Sequence, residues 1–242
     1  MRFYIIHLQS AKKRQINISK LKKNLPGEVV IIDAIDSKKL TKNDIEESYF
    51  KNLYRPFYPF DLSSTEVACF LSHRKAWMKI LENDPTGAFI LEDDVDIDID
   101  LFNQSIDISQ AGKKIDDFIR FPIKNRERVK KLIIKSSKQA LFLPKVTGLG
   151  MVCQFVGNTE AKKLLESSVK FDRPVDNFLQ LSWITKVQPK VIFPSGVSEI
   201  SNTLGGTTIH KKLPLLQKII KEFLRPIFRA KMQFYSFFKK TI

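Results

Sequence analysis

Residues 87–95 read Gly87-Ala88-Phe89-Ile90-Leu91-Glu92-Asp93-Asp94-Val95, an apolar run that leads directly into three consecutive acids. A short, continuous apolar run is typical of a strand that is buried on both faces of a sheet. In open α/β sheets, ligands bind just beyond the carboxyl ends of such strands. The stretch therefore predicts an α/β fold with a binding site that includes Glu92, Asp93 and Asp94.

These three acids are candidate ligands for a divalent cation. Adjacent carboxylates repel one another, and a bound cation would relieve that repulsion. Oxygen ligands favour Mg²⁺ or Mn²⁺, which commonly bridge to the phosphates of a substrate. A solvated acidic turn after a strand would show the same residues, so the stretch alone leaves both interpretations open.

The rest of the chain alternates predicted strands and helices, as expected for a sheet covered on both faces. Strands are predicted at residues 3–8, 29–32, 117–121, 148–157 and 190–193, and helices at residues 12–24, 63–82, 159–167 and 176–184. Residues 63–66 form a capping box that starts the second of these helices. Two glycines at 205–206 predict a boundary between a domain, residues 1–206, and a tail, residues 207–242.

The composition is that of a globular protein, with 43% hydrophobic and 28% charged residues among 242. These values exclude wholesale disorder. Cys69 and Cys153 lie within apolar patterns and predict reduced core thiols, not a secreted disulfide framework. The apolar stretch at the N-terminus is too short for a signal peptide, and no segment approaches the roughly 18 apolar residues of a membrane span. We therefore expect a cytoplasmic protein.

The tail carries much of the net charge of +15. Nine basic residues follow His210, against Glu222 alone, and apolar and aromatic residues recur among them at helical spacing. Basic amphipathic helices with aromatic anchors lie in the interface of anionic membranes. Pro214 and Pro226 predict two helical pieces, with a break near Pro226. Packing of the tail on its own domain, or on a second subunit, is the alternative. RNA binding is a weaker one, because no aromatic stacking motif or glycine-rich clamp accompanies the charge.

Two segments carry a family resemblance. Residues 66–77, Glu-Val-Ala-Cys-Phe-Leu-Ser-His-Arg-Lys-Ala-Trp, precede the acidic strand, which contains Ile-Leu-Glu-Asp-Asp-Val at residues 90–95. Together they resemble the signature of glycosyltransferase family 25, the bacterial lipopolysaccharide and lipooligosaccharide glycosyltransferases. Shorter matches lie at residues 5–14, 33–36, 161–165 and 173–176, with His7 where the family usually has asparagine. The resemblance extends from about residue 2 to about residue 200.

The resemblance implies a GT-A-type fold, a mixed Rossmann-like sheet flanked by helices, to which the basic amphipathic tail is added. It also implies a nucleotide-sugar donor, with UDP-galactose favoured and UDP-glucose possible, and inversion at the anomeric carbon of the sugar. The implied acceptor is a lipopolysaccharide or lipooligosaccharide. With the tail as an anchor, the expected location is the inner face of the bacterial inner membrane.

The metal-ligand assignments follow from the same resemblance. Glu92-Asp93-Asp94 resembles the acid-x-acid motif of metal-dependent glycosyltransferases, in which the last acid usually ligates Mn²⁺ or Mg²⁺. This implies Asp94 as the direct ligand, with Glu92 and Asp93 shared between metal, ribose and strand-end hydrogen bonds. Many such enzymes add a histidine from near the C-terminus, and His210 is the candidate; a solvated histidine beside Lys211 is the alternative.

Four further residues are candidates for the site. His73, which follows Ser72 as in the family motif, is expected to line or support the donor pocket, although a packing histidine would also fit. Asp176 opens a helix and is the candidate catalytic base or acceptor anchor; a plain helix cap is the alternative. Arg14 is expected at the diphosphate or uracil, and the backbone around His7 at the nucleobase.

Alternatives also remain for the basic stretch and for the function of the whole chain. The basic stretch at residues 120–138 is expected to be a loop that meets the phosphates of the acceptor, or else a solvated surface helix. For the whole chain, the rivals are a membrane-docked sugar-nucleotide-binding protein without turnover and a metal-dependent phosphotransferase or nucleotidyltransferase. No Ser-His-Asp arrangement or P-loop pattern is visible, which argues against an acyl hydrolase or a P-loop NTPase.

Overall fold

The computed structural model of the chain describes residues 1–111, 117–202, 204 and 215–239, and in the last helix it describes side chains from residue 220 onward. The strands are β1 (Arg2–His7), β2 (Glu28–Asp33), β3 (Ala88–Glu92), β4 (Val95–Ile97), β5 (Phe118–Arg120), β6 (Val129–Lys135), β7 (Ala140–Pro144), β8 (Cys153–Val156), β9 (Lys190–Phe193) and β10 (Val197–Glu199). The helices are α1 (Gln15–Asn24), preceded by a 3₁₀ turn at Lys12–Arg14, then α2 (Lys42–Ser48), α3 (Ser64–Asn83), α4 (Ile99–Ala111), α5 (Asn158–Ser167), α6 (Val175–Phe178), α7 (Ser182–Thr185) and α8 (Leu215–Phe238).

Eight strands form one mixed sheet in the order β2-β1-β3-β8-β5-β9-β7-β6, and β4 and β10 form a small antiparallel pair. Strands β2, β1 and β3 are parallel, so their carboxyl ends meet at one edge, where His7 lies opposite Asp33 and Ile6 lies opposite Glu92. The predicted α/β class is confirmed. The acidic run leaves the sheet at this parallel edge.

The apolar run that precedes the three acids forms a buried strand, as predicted. Residues 88–91 are fully buried, and their side chains alternate between two cores, one on each face of the sheet. Helix α3 covers one face, and α1 and α4 cover the other. Gly87 precedes the strand with a φ of +95°, and a Cβ at this position would collide with the carbonyl oxygen of Val156. Glycine is therefore required here for both conformation and space.

Helix α3 begins with the predicted capping box, in which Ser63 Oγ accepts from the Glu66 amide and Glu66 bonds back to the Ser63 amide. In the sequence, Val67, Phe70, Leu71, Trp77, Met78 and Leu81 recur at helical spacing and predict the core face of this helix, a prediction that was partly wrong. Val67, Phe70 and Trp77 are buried, but Met78 and Leu81 are exposed, and the buried side also contains His73, Ala76 and Ile80. The core face therefore includes the polar residues Ser72 and His73, both fully buried.

Two other predictions about elements were wrong. The stretch at residues 120–138 is neither a long loop nor a helix: Arg120 ends β5 inside the protein, and residues 129–135 form the edge strand β6, paired with β7. Lys130, Lys131 and Lys135 of β6 are exposed, and exposed lysines are typical of an edge strand. The helix predicted at residues 176–184 is two short helices, α6 and α7, separated by a turn.

Helix α8 runs without a break through Pro226, so the predicted interruption there was wrong. A proline inside a helix loses one backbone hydrogen bond, at a cost of about 3 kcal/mol. Packing beyond Pro226 offsets this loss: Phe228 and Met232 are buried, and the ring of Phe228 lies edge-on to Tyr58 at 5.3 Å. One side of the helix therefore packs on its own domain. Among the described residues, no helix has both the length and the hydropathy to cross a membrane.

Candidate functional site

A cavity of about 450 Å³ opens at the carboxyl ends of β1, β2 and β3. Its wall is built by the loop after β1, the loop after β2, the first half of α3 and the acidic turn after β3. The lining residues are Ile6, Leu8, Ser10, Ala11, Arg14, Ala34, Ile35, Asp36, Ser37, Lys38, Thr65, Ala68, Cys69, Ser72, His73, Glu92, Asp93, Asp94 and Glu199. This is the edge at which an open α/β sheet binds its ligand, and five of the predicted site residues line it.

Asp93 is the most strongly held of the three acids. One carboxylate oxygen lies 2.7 Å from His7 Nδ1, and the other accepts a hydrogen bond from the Arg14 guanidinium. The buried Asn17 side chain donates to the backbone carbonyls of Asp93 and Val95, at 2.9 and 2.8 Å. These bonds fix the acidic turn. His7 reaches the site through Asp93, since Ile6 and Leu8, and not His7, line the cavity.

Asp94 lies beside Asp93 but is only partly compensated. Its Oδ2 is 3.0 Å from Arg14 Nη2, whereas its Oδ1 is buried and has no hydrogen-bond partner among the described residues. The pKa of Asp94 is raised to about 6, first by burial and then by the charge of Glu92, against the lowering effect of Arg14. An ionised carboxylate is thus held in a position that disfavours its charge.

The acidic turn fits a divalent cation. Asp93 and Asp94 share the guanidinium of Arg14, and the buried Asp94 Oδ1, which has no hydrogen-bond partner among the described residues, is the kind of oxygen that a hard cation would satisfy. Glu92, at the same edge, is 30% exposed in its side chain and has room to turn. Asp94 and Glu92 are the residues that would hold such an ion. His210, the predicted third ligand, lies outside the described residues.

The raised pKa of Asp94 gives a testable dependence of stability on pH. The folded pKa is about 6, and the unfolded value is about 3.9. Because the folded state binds this proton more tightly, the Asp94 contribution to stability falls as pH rises from about 4 to about 6. The Asp94→Asn variant does not titrate there. In metal-free protein we expect its stability advantage to grow from near zero at about pH 4 to about 3 kcal/mol at about pH 7.

Urea unfolding at several pH values, with EDTA present, measures this difference. The Asp100→Asn variant is the matched control, because Asp100 is exposed and outside the cavity wall. A constant difference between Asp94→Asn and the native protein across this range would show that Asp94 is not destabilised by burial.

His73 lies in the part of the cavity wall that α3 forms. It is fully buried, its Nε2 lies 3.5 Å from Glu92 Oε1, and its Nδ1 lies 3.3 Å from the Gln154 amide nitrogen. Neighbouring Ser72 accepts a hydrogen bond from the Ile35 amide and so ties α3 to the loop after β2. The structure therefore places Ser72 and His73 as supports of both the cavity and Glu92.

Asp176 is near the cavity but does not line it. Its Oδ2 accepts from the Gly150 amide at 3.1 Å, and its Oδ1 accepts from the Asn177 backbone and side chain. Burial raises the pKa of the Cys69 thiol, and the charges of Glu92 and Asp176 raise it further. The Asp176 carboxylate therefore interacts electrostatically with a residue of the cavity wall. Its role as the base remains a prediction.

Sequence reasoning missed two residues that shape this site. Asn17 is a buried polar residue on the inward face of the first helix, and Gln154 is a polar residue within the fully buried strand β8. A polar residue on an otherwise apolar face was the available signal in both cases. The sequence alone does not show which groups Asn17 and Gln154 contact.

Comparison with known proteins shows the family to which the chain belongs. Residues 1–179 match the family described as "Glycosyltransferase family 25 (LPS biosynthesis protein)". The chain belongs to glycosyltransferase family 25. The match contains the parallel strands, α3, the acidic turn and Asp176, so every described candidate site residue lies in the part shared with the family.

Relatives of this family 25 chain occur in bacteria and animals. A putative glycosyltransferase of Haemophilus influenzae is 28% identical over 92% of this chain and 83% of that protein. The lipooligosaccharide biosynthesis protein lic2B of Haemophilus influenzae is 33% identical over 48% of this chain and 43% of its own length. Human procollagen galactosyltransferase 2 is 28% identical over 38% of this chain, but the match spans only 15% of that protein.

Proposed function

We propose that this chain is an inverting, metal-dependent glycosyltransferase that moves a hexose, galactose above all, from a UDP-sugar to a lipopolysaccharide or lipooligosaccharide acceptor. The observation that carries the proposal is the cavity at the parallel strand ends, with the partly uncompensated acids Glu92 and Asp94 in its wall. The family description and the name of the lic2B protein support the acceptor class. The procollagen galactosyltransferases support galactose.

The cavity suits a nucleotide-sugar donor. Its volume of about 450 Å³ lies within the usual range for sites of this kind. The loops after β1 and β2 supply backbone amides and the side chains of Asp36 and Lys38 on one side, and the acidic turn supplies carboxylates on the other. We propose a GT-A-type arrangement, in which the nucleoside lies over the ends of β1 and β2 and the diphosphate lies over the end of β3.

Transfer requires three things of this chain. The leaving diphosphate gathers negative charge, which a divalent ion held by Asp94 and Glu92 would neutralise when bound. Arg14 keeps Asp93 and Asp94 in place through its guanidinium contacts. Water must also be kept from the donor, since hydrolysis competes with transfer, and the buried wall formed by α3 serves this purpose.

The acceptor hydroxyl needs a base within hydrogen-bond reach. Asp176 is our candidate, because α6 presents its carboxylate beside the loop at Gly150 and within electrostatic range of the cavity. The hydroxyl proton would pass to this carboxylate as the oxygen attacks the anomeric carbon from the face opposite the diphosphate. Attack from that face gives inversion.

A donor screen tests the function. The full chain is incubated with a panel of UDP-sugars, lipooligosaccharide acceptor and Mn²⁺ or EDTA, and released UDP and glycosylated acceptor are both measured. We expect both products with UDP-galactose and Mn²⁺, and neither with EDTA. Donor binding without either product would indicate a binding protein. Consumption of a nucleoside triphosphate in place of a UDP-sugar would indicate a phosphotransferase or nucleotidyltransferase.

We also propose that the domain works on the inner face of the bacterial inner membrane, with α8 as its contact. The side of α8 that does not pack on the domain exposes an apolar row made up of Ile220, Phe223, Ile227, Phe234, Phe237 and Phe238. The exposed bases Arg229 and Lys231 flank that row, whereas Lys221 lies over the ring of Phe60 and Arg225 pairs with Glu222. An exposed aromatic row with flanking bases matches an anionic bilayer surface, and each base near such a surface contributes on the order of 1 kcal/mol.

Vesicle flotation tests the membrane contact without disturbing the packed side of α8. We expect the triple variant Phe223→Ser, Phe234→Ser, Phe237→Ser to lose most of its flotation with vesicles that contain anionic lipid. The matched control is Ile16→Ser with Val169→Ser, two exposed apolar residues elsewhere on the surface. Equal flotation of both proteins, or a concentration-dependent dimer abolished by the triple variant, would contradict the proposal; the dimer would point to a second subunit.

A further inference from the structure

Three side chains of different chemistry converge on the α3 wall of the cavity. The Cys69 thiol, the His73 imidazole and the Glu92 carboxylate each place one potential ligand atom within 4.8 Å of the other two. Cys69 and His73 are four residues apart on α3, so they project from the same face of the helix. Glu92 comes from the end of β3 and closes the group from the side of the sheet.

We propose that Cys69, His73 and Glu92 form a three-ligand site for Zn²⁺ or a similar borderline-soft ion. A set of sulfur, nitrogen and oxygen ligands selects such an ion over Mg²⁺ or Mn²⁺, which prefer oxygen alone. This site is distinct from the one proposed at Asp94, although the two share Glu92. It does not depend on the proposed transfer reaction.

The geometry is close to what the ion needs. Bond lengths around tetrahedral zinc place neighbouring ligand atoms roughly 3.3–3.6 Å apart. His73 Nε2 and Glu92 Oε1 are already 3.5 Å apart. All three ligand atoms lie within 4.8 Å of one another, so any wider gap closes with a movement of at most about 1.5 Å. Rotation of the partly exposed Glu92 side chain adjusts its distances to the other two ligands. The fourth position faces the cavity and is open to water or to a ligand.

Gln154 supplies the outer contact that a metal-binding histidine usually has. Its amide lies against His73 Nδ1, and its Oε1 is buried without a hydrogen-bond partner among the described residues. Rotation of this amide by half a turn lets Nδ1–H donate to Oε1. The tautomer is then fixed with the lone pair on Nε2, the nitrogen that lies 3.5 Å from Glu92 Oε1, as in the outer shells of known zinc sites. On binding, the Cys69 proton leaves to solvent and the ion takes the thiolate.

Cobalt substitution tests this site directly. The full chain is stripped with EDTA, dialysed and titrated with Co²⁺, and Zn²⁺ is then added as the competitor. We expect a thiolate-to-cobalt charge-transfer band that Zn²⁺ abolishes at one equivalent. Cys69→Ser should remove the band, and Glu92→Gln should weaken Zn²⁺ binding by at least about tenfold. Mn²⁺ should not displace Co²⁺ at comparable concentration.

Cys153→Ser is the matched control, because Cys153 is a buried thiol of β8 outside the cavity wall. It should keep the band, and circular dichroism confirms that each variant is folded. Absence of the band in the folded native chain would overturn the site, as would its persistence in Cys69→Ser or its loss in Cys153→Ser alone. The readout needs no donor or acceptor, so it separates failure of this site from failure of the glycosyltransferase proposal.

Discussion

Asp94→Asn is expected to lower sugar transfer at saturating donor by at least about a hundredfold, the scale expected when one preorganised charge at a reacting centre is removed. The amide keeps the shape of the side chain but lacks the charge that would hold a divalent ion. The fold should survive the change. In the metal-free protein, Asp94 Oδ1 is buried without a hydrogen-bond partner among the described residues, and the raised pKa of Asp94 shows that its charge does not stabilise the fold.

The measurement is acceptor glycosylation at several Mn²⁺ concentrations for the native chain, Asp94→Asn and Asp100→Asn. Asp100 is an exposed acid in the same segment, outside the cavity wall, so its variant should match the native chain. If Asp94→Asn retained full transfer with unchanged Mn²⁺ dependence, the acidic turn would not hold the catalytic ion.

Arg14→Met is expected to destabilise the domain by about 3–5 kcal/mol. The Arg14 guanidinium is buried between Asp93 and Asp94, and its removal leaves two buried carboxylates without that compensating charge. Loss of one partner from a buried ion pair has effects of this size. Donor binding should fall as well, because the acidic turn loses one of the groups that fix it.

A double-mutant cycle isolates the pair. Arg14→Met, Asp93→Asn and the double variant are compared by urea unfolding, and the double variant should lose less than the sum of the two single changes. Lys20→Met, in the helix that follows Arg14, is the control: its ion pair with Asp96, at 2.6 Å, is half exposed, so its loss should be below about 1 kcal/mol. Additive effects in the cycle would mean that Arg14 does not compensate Asp93.

The sequence predicted the fold where local physics decides it. The apolar run of β3 and the capping box of α3 depend on residues close together in the chain, and both were confirmed. The inward turn of Arg120 depends on Glu127 and on the carbonyls of residues 149–150, which only the folded chain brings together. The continuity of α8 through Pro226 likewise depends on distant residues, above all Tyr58 and Arg173.

The sequence predicted which residues form the site, but it did not predict the contacts between them. The acidic run, Arg14 and His73 were identified by motif, and all of them line one cavity. Their pairing was not visible in the sequence: Arg14 pairs with two of the acids, His7 contacts Asp93, and Cys69 lies near His73 and Glu92. Such pairings are set by the register of β1 and β3 and by the rotation of α3, which depend on packing across the whole sheet.

A crystal of the chain soaked with UDP-galactose and Mn²⁺ tests the central claim most directly. Anomalous scattering locates the manganese independently of the donor density. We expect one manganese bound to Asp94 and to the donor diphosphate, with the nucleoside over the ends of β1 and β2. A diphosphate bound away from this cavity, or a manganese with no contact to Glu92 or Asp94, would contradict the proposed enzyme.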